Sequence, residues 1–195
     1  MKVISLENTP SESRRIPGNN AIWVGLFAEL TEFALMFFVY FVLRAHYPEA
    51  FRAGVHKLST AAGVGNTLIL VTSSFFIVQA VFAIRADKIK VCFRWLVAAL
   101  VTGVGYPIIK YFEVTWNLEQ GLTGNGDPFI LAYYYLTINH LVHISWGLLG
   151  LLLVMFRTRM NAYSSKNYGG LEAFACYWHI TDLIWLIIFP LFYIY

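Results

Sequence analysis

Charge is what this chain has least of. Only 13% of its 195 residues are Asp, Glu, Lys or Arg, against about 25% in an ordinary soluble domain. Too few polar groups remain to cover the surface of a soluble protein of this size, so a soluble globular domain is excluded. Disorder is excluded more firmly, because 58% of the residues are hydrophobic and the mean hydropathy is +0.61. Cysteine is scarce as well. Cys92 and Cys176 stand far apart and make neither a CxxC pair nor a disulfide framework. A net charge of +3 without any long Lys/Arg run argues against a nucleic-acid partner. There is no Ser/His/Asp arrangement and no phosphate-binding loop, which leaves soluble-type chemistry without support. The absence of an internal repeat or an inverted pair of broken helices weakens a secondary-transporter reading.

Long apolar runs are what the chain has in abundance. A helix crossing a ~30 Å hydrocarbon core needs ~20 mostly apolar residues. Five segments qualify, at about 21–43, 66–84, 93–111, 129–156 and 171–195. They are continuous rather than alternating, which excludes strand-built spans. Turn chemistry separates them: Pro48 with Gly54, Asp87, the glycine-rich stretch 121–128, and Gly169-Gly170. The expected fold is an all-α integral membrane protein, a bundle of five transmembrane helices over 21–195 behind a polar tail over 1–20. The tail does not read as a cleaved signal peptide, so the first span is expected to stay in the mature protein. The aromatic share of 17% suits rings held at two membrane interfaces. Trp23, Trp95, Trp116, Trp178 and Tyr193 read mainly as such anchors.

Basic residues set the expected orientation. Lys2, Arg14, Arg15, Arg85, Lys88, Lys90, Arg94, Arg157, Arg159 and Lys166 fall on one side, and Arg44, Arg52, Lys57 and Lys110 on the other. Ten against four places the N-terminus inside and the C-terminus outside. Both cysteines then lie near cytoplasmic ends, where reduced thiols are the expected state.

An ionisable group at mid-membrane costs at least ~2.5–3.5 kcal/mol on insertion scales, so each one asks for a partner or a job. Span one holds Glu29 and Glu32, three apart on one helix face. Span four holds His140 and His143, with Asn139 beside them. Span five holds Glu172, His179 and Asp182. At ~1.5 Å per residue, Glu29, Glu32, His179 and Asp182 lie roughly 12–17 Å from one end of their spans, and the two histidines of span four roughly 16–21 Å from the other. One polar belt near the midplane is expected. Its functional readings are a proton relay, a metal site or a docking face; its plainer reading is a set of interhelical hydrogen bonds that fix packing. Metal is disfavoured by number, since the chain has five histidines in all, with His46 and His56 in a loop.

Other polar groups carry weaker signals. Thr72-Ser73-Ser74 are small residues that let helices approach or bond back to their own carbonyls. Asn66 and Gln79 are expected to hydrogen-bond near the ends of span two. Gly103, Gly105 and Pro107 are expected to kink span three or admit a neighbour. Lys110 and Glu113 read as a snorkelling ion pair at its outer end.

Five motifs in order resemble subunit III of haem-copper oxidases. Leu26-Phe27-Ala28-Glu29-Leu30-Thr31-Glu32-Phe33, with Tyr40 and Arg44, resembles its Ser/Thr-Glu helix. The stretch from Asn66-Thr67-Leu68 to Thr72-Ser73-Ser74 is similar to its Asn-Thr-Leu helix. Lys110-Tyr111-Phe112-Glu113 is similar to its Gln/Lys-x-x-Glu segment. Thr137-Ile138-Asn139-His140-Leu141-Val142-His143 resembles its two-histidine motif. Glu172, with Tyr177-Trp178-His179-Ile180-Thr181-Asp182-Leu183-Ile184-Trp185, resembles its closing motif. The resemblance runs from Asn20 to Tyr195. Two further N-terminal helices of longer members are missing, which makes this the five-helix form. Ile138 and Leu141 replace a glycine pair, which is expected to loosen helix contact there. Phe189-Pro190-Leu191-Phe192-Tyr193, the Glu29/Glu32 pair and Arg44-Ala45-His46-Tyr47-Pro48 look most like the branch that accompanies nitric oxide reductase, the NorE type.

The resemblance implies a non-catalytic accessory subunit in a bacterial inner membrane, without metal or other cofactor of its own. Its partners would be a haem-containing catalytic subunit of an oxidase or nitric oxide reductase and phospholipid, and it would sustain turnover and proton uptake. Span one with Glu32 would line a partner-facing or lipid-binding cleft, while His140, His143, His179 and Asp182 would brace the bundle. The residues alone also leave open a stand-alone proton-coupled carrier or a small metal-dependent membrane oxidase.

Overall fold

The computed structural model describes residues 20–194. Helices α1 (Asn20–His46), α2 (Pro48–Gly54), α3 (Thr60–Arg85), α4 (Ile89–Gly103), α5 (Gly105–Glu119), α6 (Pro128–Arg159) and α7 (Gly169–Tyr193) follow in order. No strand occurs among the described residues. The expected tail over 1–20 lies outside them except for Asn20. Five helical stretches are long and apolar enough to cross a membrane: α1, α3, α4 with α5, α6 and α7. The first four outrun the apolar segments read from the sequence because a helix continues through polar ends such as Arg44 and Arg85.

Large apolar side chains face outward, among them Val24, Phe27, Phe38, Val142, Leu153 and Phe156. That is the surface a helix presents to lipid, and it leaves the hydrophobic effect little part in holding helix to helix. Close approach and hydrogen bonds do that work instead. A Cβ on Gly103 would stand 3.2 Å from both Leu148 and Trp178, and one on Gly105 would stand 2.9 Å from Ile69. The third span breaks between these two glycines, at Val104. Both readings of the glycines therefore hold: they admit neighbours, and the helix resets at them. Ser73 does more than pack, since its hydroxyl donates to the Ala99 carbonyl of α4 at 2.9 Å.

Caps fix where the elements start. Ser59 caps α3 through the Ala62 N–H, and Asp127 caps α6 by accepting from Phe129 and Ile130 at 3.0 and 3.3 Å. Asp127 also accepts from Lys57 Nζ at 2.6 Å. Burial raises its carboxyl, but the Lys57 ammonium and the two helix N–H groups outweigh that and hold it below the ordinary carboxylate range. The stretch after α1, expected as a turn, instead forms α2 and a short 3-10 turn over Val55–Lys57. Its Phe51 is buried edge-on against Tyr40 and Phe129. Gly54 lies so close to the Phe129 ring that a Cβ would meet it at 2.2 Å.

Candidate functional site

The polar groups inside the bundle fall into separate clusters rather than one belt. In the first, α6 brings His143 between the two α1 carboxylates. His143 Nδ1 lies 3.1 Å from Glu29 Oε1, and Nε2 lies 3.6 Å from Glu32 Oε2. Thr181 of α7 donates its hydroxyl to the same Glu29 oxygen at 3.1 Å. Three helices therefore meet at Glu29, which is buried, while the Glu32 side chain is 46% exposed. These groups lie along a cleft of about 910 Å³ bounded by α1, α6 and α7, with Trp146, Phe174 and Tyr177 in its walls and Arg157 toward one end.

His140 belongs to the neighbouring cluster. It is fully buried, and its Nε2 lies 3.1 Å from the Thr181 carbonyl oxygen. A carbonyl only accepts, so Nε2 carries the hydrogen and Nδ1 takes the Tyr106 hydroxyl at 2.9 Å. A neutral ring completes this arrangement. The route from His140 toward Glu29 passes through a backbone carbonyl, which hands on no proton.

His179 and Asp182 form a third cluster with Ser74 of α3. The two do not bond directly; Ser74 Oγ links them. It donates to Asp182 Oδ2, and with its one hydrogen spent there it accepts from His179 Nδ1 at 2.9 Å. Asp182 Oδ1 is buried without a hydrogen-bond partner. Glu172 stands apart from all three clusters, paired with Arg85 at one end of α3 and α7, where Arg85 also lies over the Tyr168 ring.

Several expectations need correcting. Lys110 and Glu113 do not snorkel: both side chains are completely buried, 2.8 Å apart. Lys110 Nζ also donates to Tyr193 at 3.1 Å and sits 5.1–5.8 Å from the ring centres of Tyr133, Trp185 and Tyr193. Tyr193 in turn donates to Glu113 at 2.6 Å. Hydroxyls and ring faces supply inside the bundle what water would supply at the interface. Trp178 and Tyr193 are likewise buried in the core rather than held at an interface, Tyr193 within this cluster and Trp178 with its indole N–H unpaired. Asn66 is buried with neither amide atom bonded, rather than satisfied near a helix end. Ile138 is exposed and Leu141 half-buried, while His140 between them is fully buried.

Tyr106, Thr181, Tyr133 and Ser74 were not singled out as partners of the charged groups. One signal was available. Tyr106, Lys110, Glu113 and Asn117 recur at helical spacing and form the whole buried stripe of α5. Cys92 and Cys176 are free thiols, the first buried and the second half-buried.

Residues 21–195 match the family model for cytochrome c oxidase subunit III. The chain belongs to that family. It is 32% identical over 170 residues to cytochrome c oxidase subunit 3 of Synechocystis, covering 87% of this chain and 72% of that one. A probable cytochrome c oxidase subunit 3 of Mycobacterium leprae is 26% identical over 170 residues, covering 87% and 84%. A heme-copper oxidase subunit I+III of Aeropyrum pernix is 27% identical over 183 residues, covering 90% of this chain but only 22% of that longer protein. Subunit III is the accessory subunit of haem-copper oxidases, and the described residues of this chain include five helices long and apolar enough to cross a membrane.

Proposed function

We propose that this chain is the membrane accessory subunit of a respiratory complex, docked beside a haem-containing catalytic subunit. The observation that carries the reading is the match over residues 21–195. The Aeropyrum relative adds to it, since its name joins subunit III to subunit I in one chain. The polar interior suits bracing: His140, His143 and His179 direct ring nitrogens at groups of this same bundle. In this reading the chain stabilises the catalytic subunit and supports its proton uptake.

The side with Arg85, Lys88, Lys90, Arg94, Arg157, Arg159 and Lys166 is cytoplasmic, in a bacterial plasma membrane. With Lys110 buried inside the bundle, the opposite side keeps only Arg44, Arg52 and Lys57, which strengthens the charge bias. Phospholipid occupies the mouth of the cleft, its phosphate on Arg157. Glu29 beside Glu32, with the 44–48 and 189–193 stretches, favours nitric oxide reductase as the partner. Deletion of the chain tests this branch: NO consumption by membranes falls and O2 consumption holds. The reverse pattern assigns the chain to an oxidase.

A further inference from the structure

The deep end of the cleft poses a chemical problem that a phospholipid does not solve. Glu32 reaches it half-exposed, about 18 Å along α1 from the first helical residue. Its contact with His143 Nε2, 3.6 Å, is too long for a hydrogen bond. Glu29 takes the Nδ1 side of the same ring. Among the described residues the Glu32 carboxylate is therefore left half-exposed in the cleft with no contact short enough to be a hydrogen bond. Arg157 lies fourteen residues further along α6, roughly 21 Å away. A phospholipid anchored there would present only hydrocarbon to this carboxylate.

The walls narrow the choice of ligand. Gly25, Ala28, Gly150 and Ala173 leave a slot between α1 and the α6–α7 pair, flanked by the rings of Trp146, Phe174 and Tyr177. Trp146 is 71% exposed. The slot opens along helices whose other faces carry lipid-type side chains. A fitting ligand is planar, lives within the hydrocarbon core and carries a hydroxyl donor.

We propose that the deep end of this cleft binds a membrane quinol, its ring beside Trp146 and Tyr177 and one hydroxyl donated to the Glu32 carboxylate. The oxidised quinone has no hydroxyl, so it loses that hydrogen bond and binds more weakly. The site is one of binding. It stands on the geometry of the chain alone and does not depend on which catalytic subunit is the partner.

The test uses the full chain in phosphatidylcholine nanodiscs, with decylubiquinol and decylubiquinone as probes and tryptophan fluorescence quenching as the readout. Saturable quenching is expected, with the quinol about tenfold tighter, as one hydrogen bond to a charged group implies. Gly25→Leu should weaken it for both forms, because a side chain there enters open space in the cleft wall, about 10 Å toward the mouth from Glu32, and narrows the way in. Glu32→Leu, which suits lipid, should bind both forms but lose the preference for the quinol. Wild-type binding that is unsaturable, equal for the two redox forms or unchanged by Gly25→Leu overturns the proposal. Should Gly25→Leu not fold, the quinol preference and its loss in Glu32→Leu decide alone.

Discussion

Replacing Lys110 by Met removes an ammonium group that is wholly buried yet fully partnered. The cost has to be worked against a membrane reference state. Lys110 and Glu113 are three apart on α5, so their ion pair also forms when the helices separate. Association adds the hydrogen bond to Tyr193 and the ring faces of Tyr133, Trp185 and Tyr193. Interhelical hydrogen bonds reach ~1.7 kcal/mol, and a desolvated cation–π contact reaches ~2 kcal/mol. The substitution also leaves Glu113 buried without its cation, which alone costs ~3–5 kcal/mol where no partner survives. Here the Tyr193 hydroxyl still donates to Glu113, which places the total at about 3 kcal/mol, or about a hundredfold in the folded-to-unfolded ratio. SDS titration of the full chain in mixed micelles reads this as a shift of the unfolding midpoint. Lys110→Met/Glu113→Gln should recover most of the loss, because it removes the orphaned charge. A single-variant cost below ~1 kcal/mol, or a double variant no better than the single, refutes the reasoning.

Three further outcomes are expected. Ser74→Ala takes a hydrogen-bond partner from both Asp182 and His179 and should cost ~1–3 kcal/mol, seen as lower folded yield in fluorescence-detected gel filtration; Asp182→Ala should act in the same direction. Tyr106→Phe removes the donor to His140 Nδ1 and should cost ~0.6–1.7 kcal/mol in the SDS titration, with no change in a partner's haem spectrum. Asp127→Ala should cost ~1–2 kcal/mol through the lost α6 cap. Because the folded Asp127 carboxyl lies below its unfolded value, its stabilisation is full above ~pH 4 and fades as pH falls through the folded value. Wild-type and Asp127→Ala unfolding midpoints should therefore converge in acid.

The five crossings were legible because apolar length has one main cause, the thickness of the bilayer. The break in the third span was legible too, since Gly103 and Gly105 weaken the helix and Pro107 has no N–H to donate to the Gly103 carbonyl. Partnerships between polar groups were much less so. Depth along an axis placed Glu29, Glu32, His140, His143, His179 and Asp182 at similar levels, but rotation about each axis decides which of them meet. That rotation sends His143 to Glu29 and His140 to Tyr106. It also turns Asp182 toward Ser74 rather than into a common belt. Lys110 shows a second limit. Its place near the end of an apolar run suggested an exit to water, and only the folded chain shows Tyr133, Trp185 and Tyr193 closing around it. Glu172 shows a third, because its partner Arg85 lies 87 positions earlier in the chain.

The account turns on the chain's having a haem-containing partner in the membrane. Its most direct test is purification of the tagged full chain from native membranes in mild detergent, followed by an optical spectrum and identification of the bound subunits. The account predicts reduced-haem bands and one catalytic subunit at stoichiometric amount. A chain recovered without haem or partner, from membranes in which both oxidase and nitric oxide reductase are present, contradicts it.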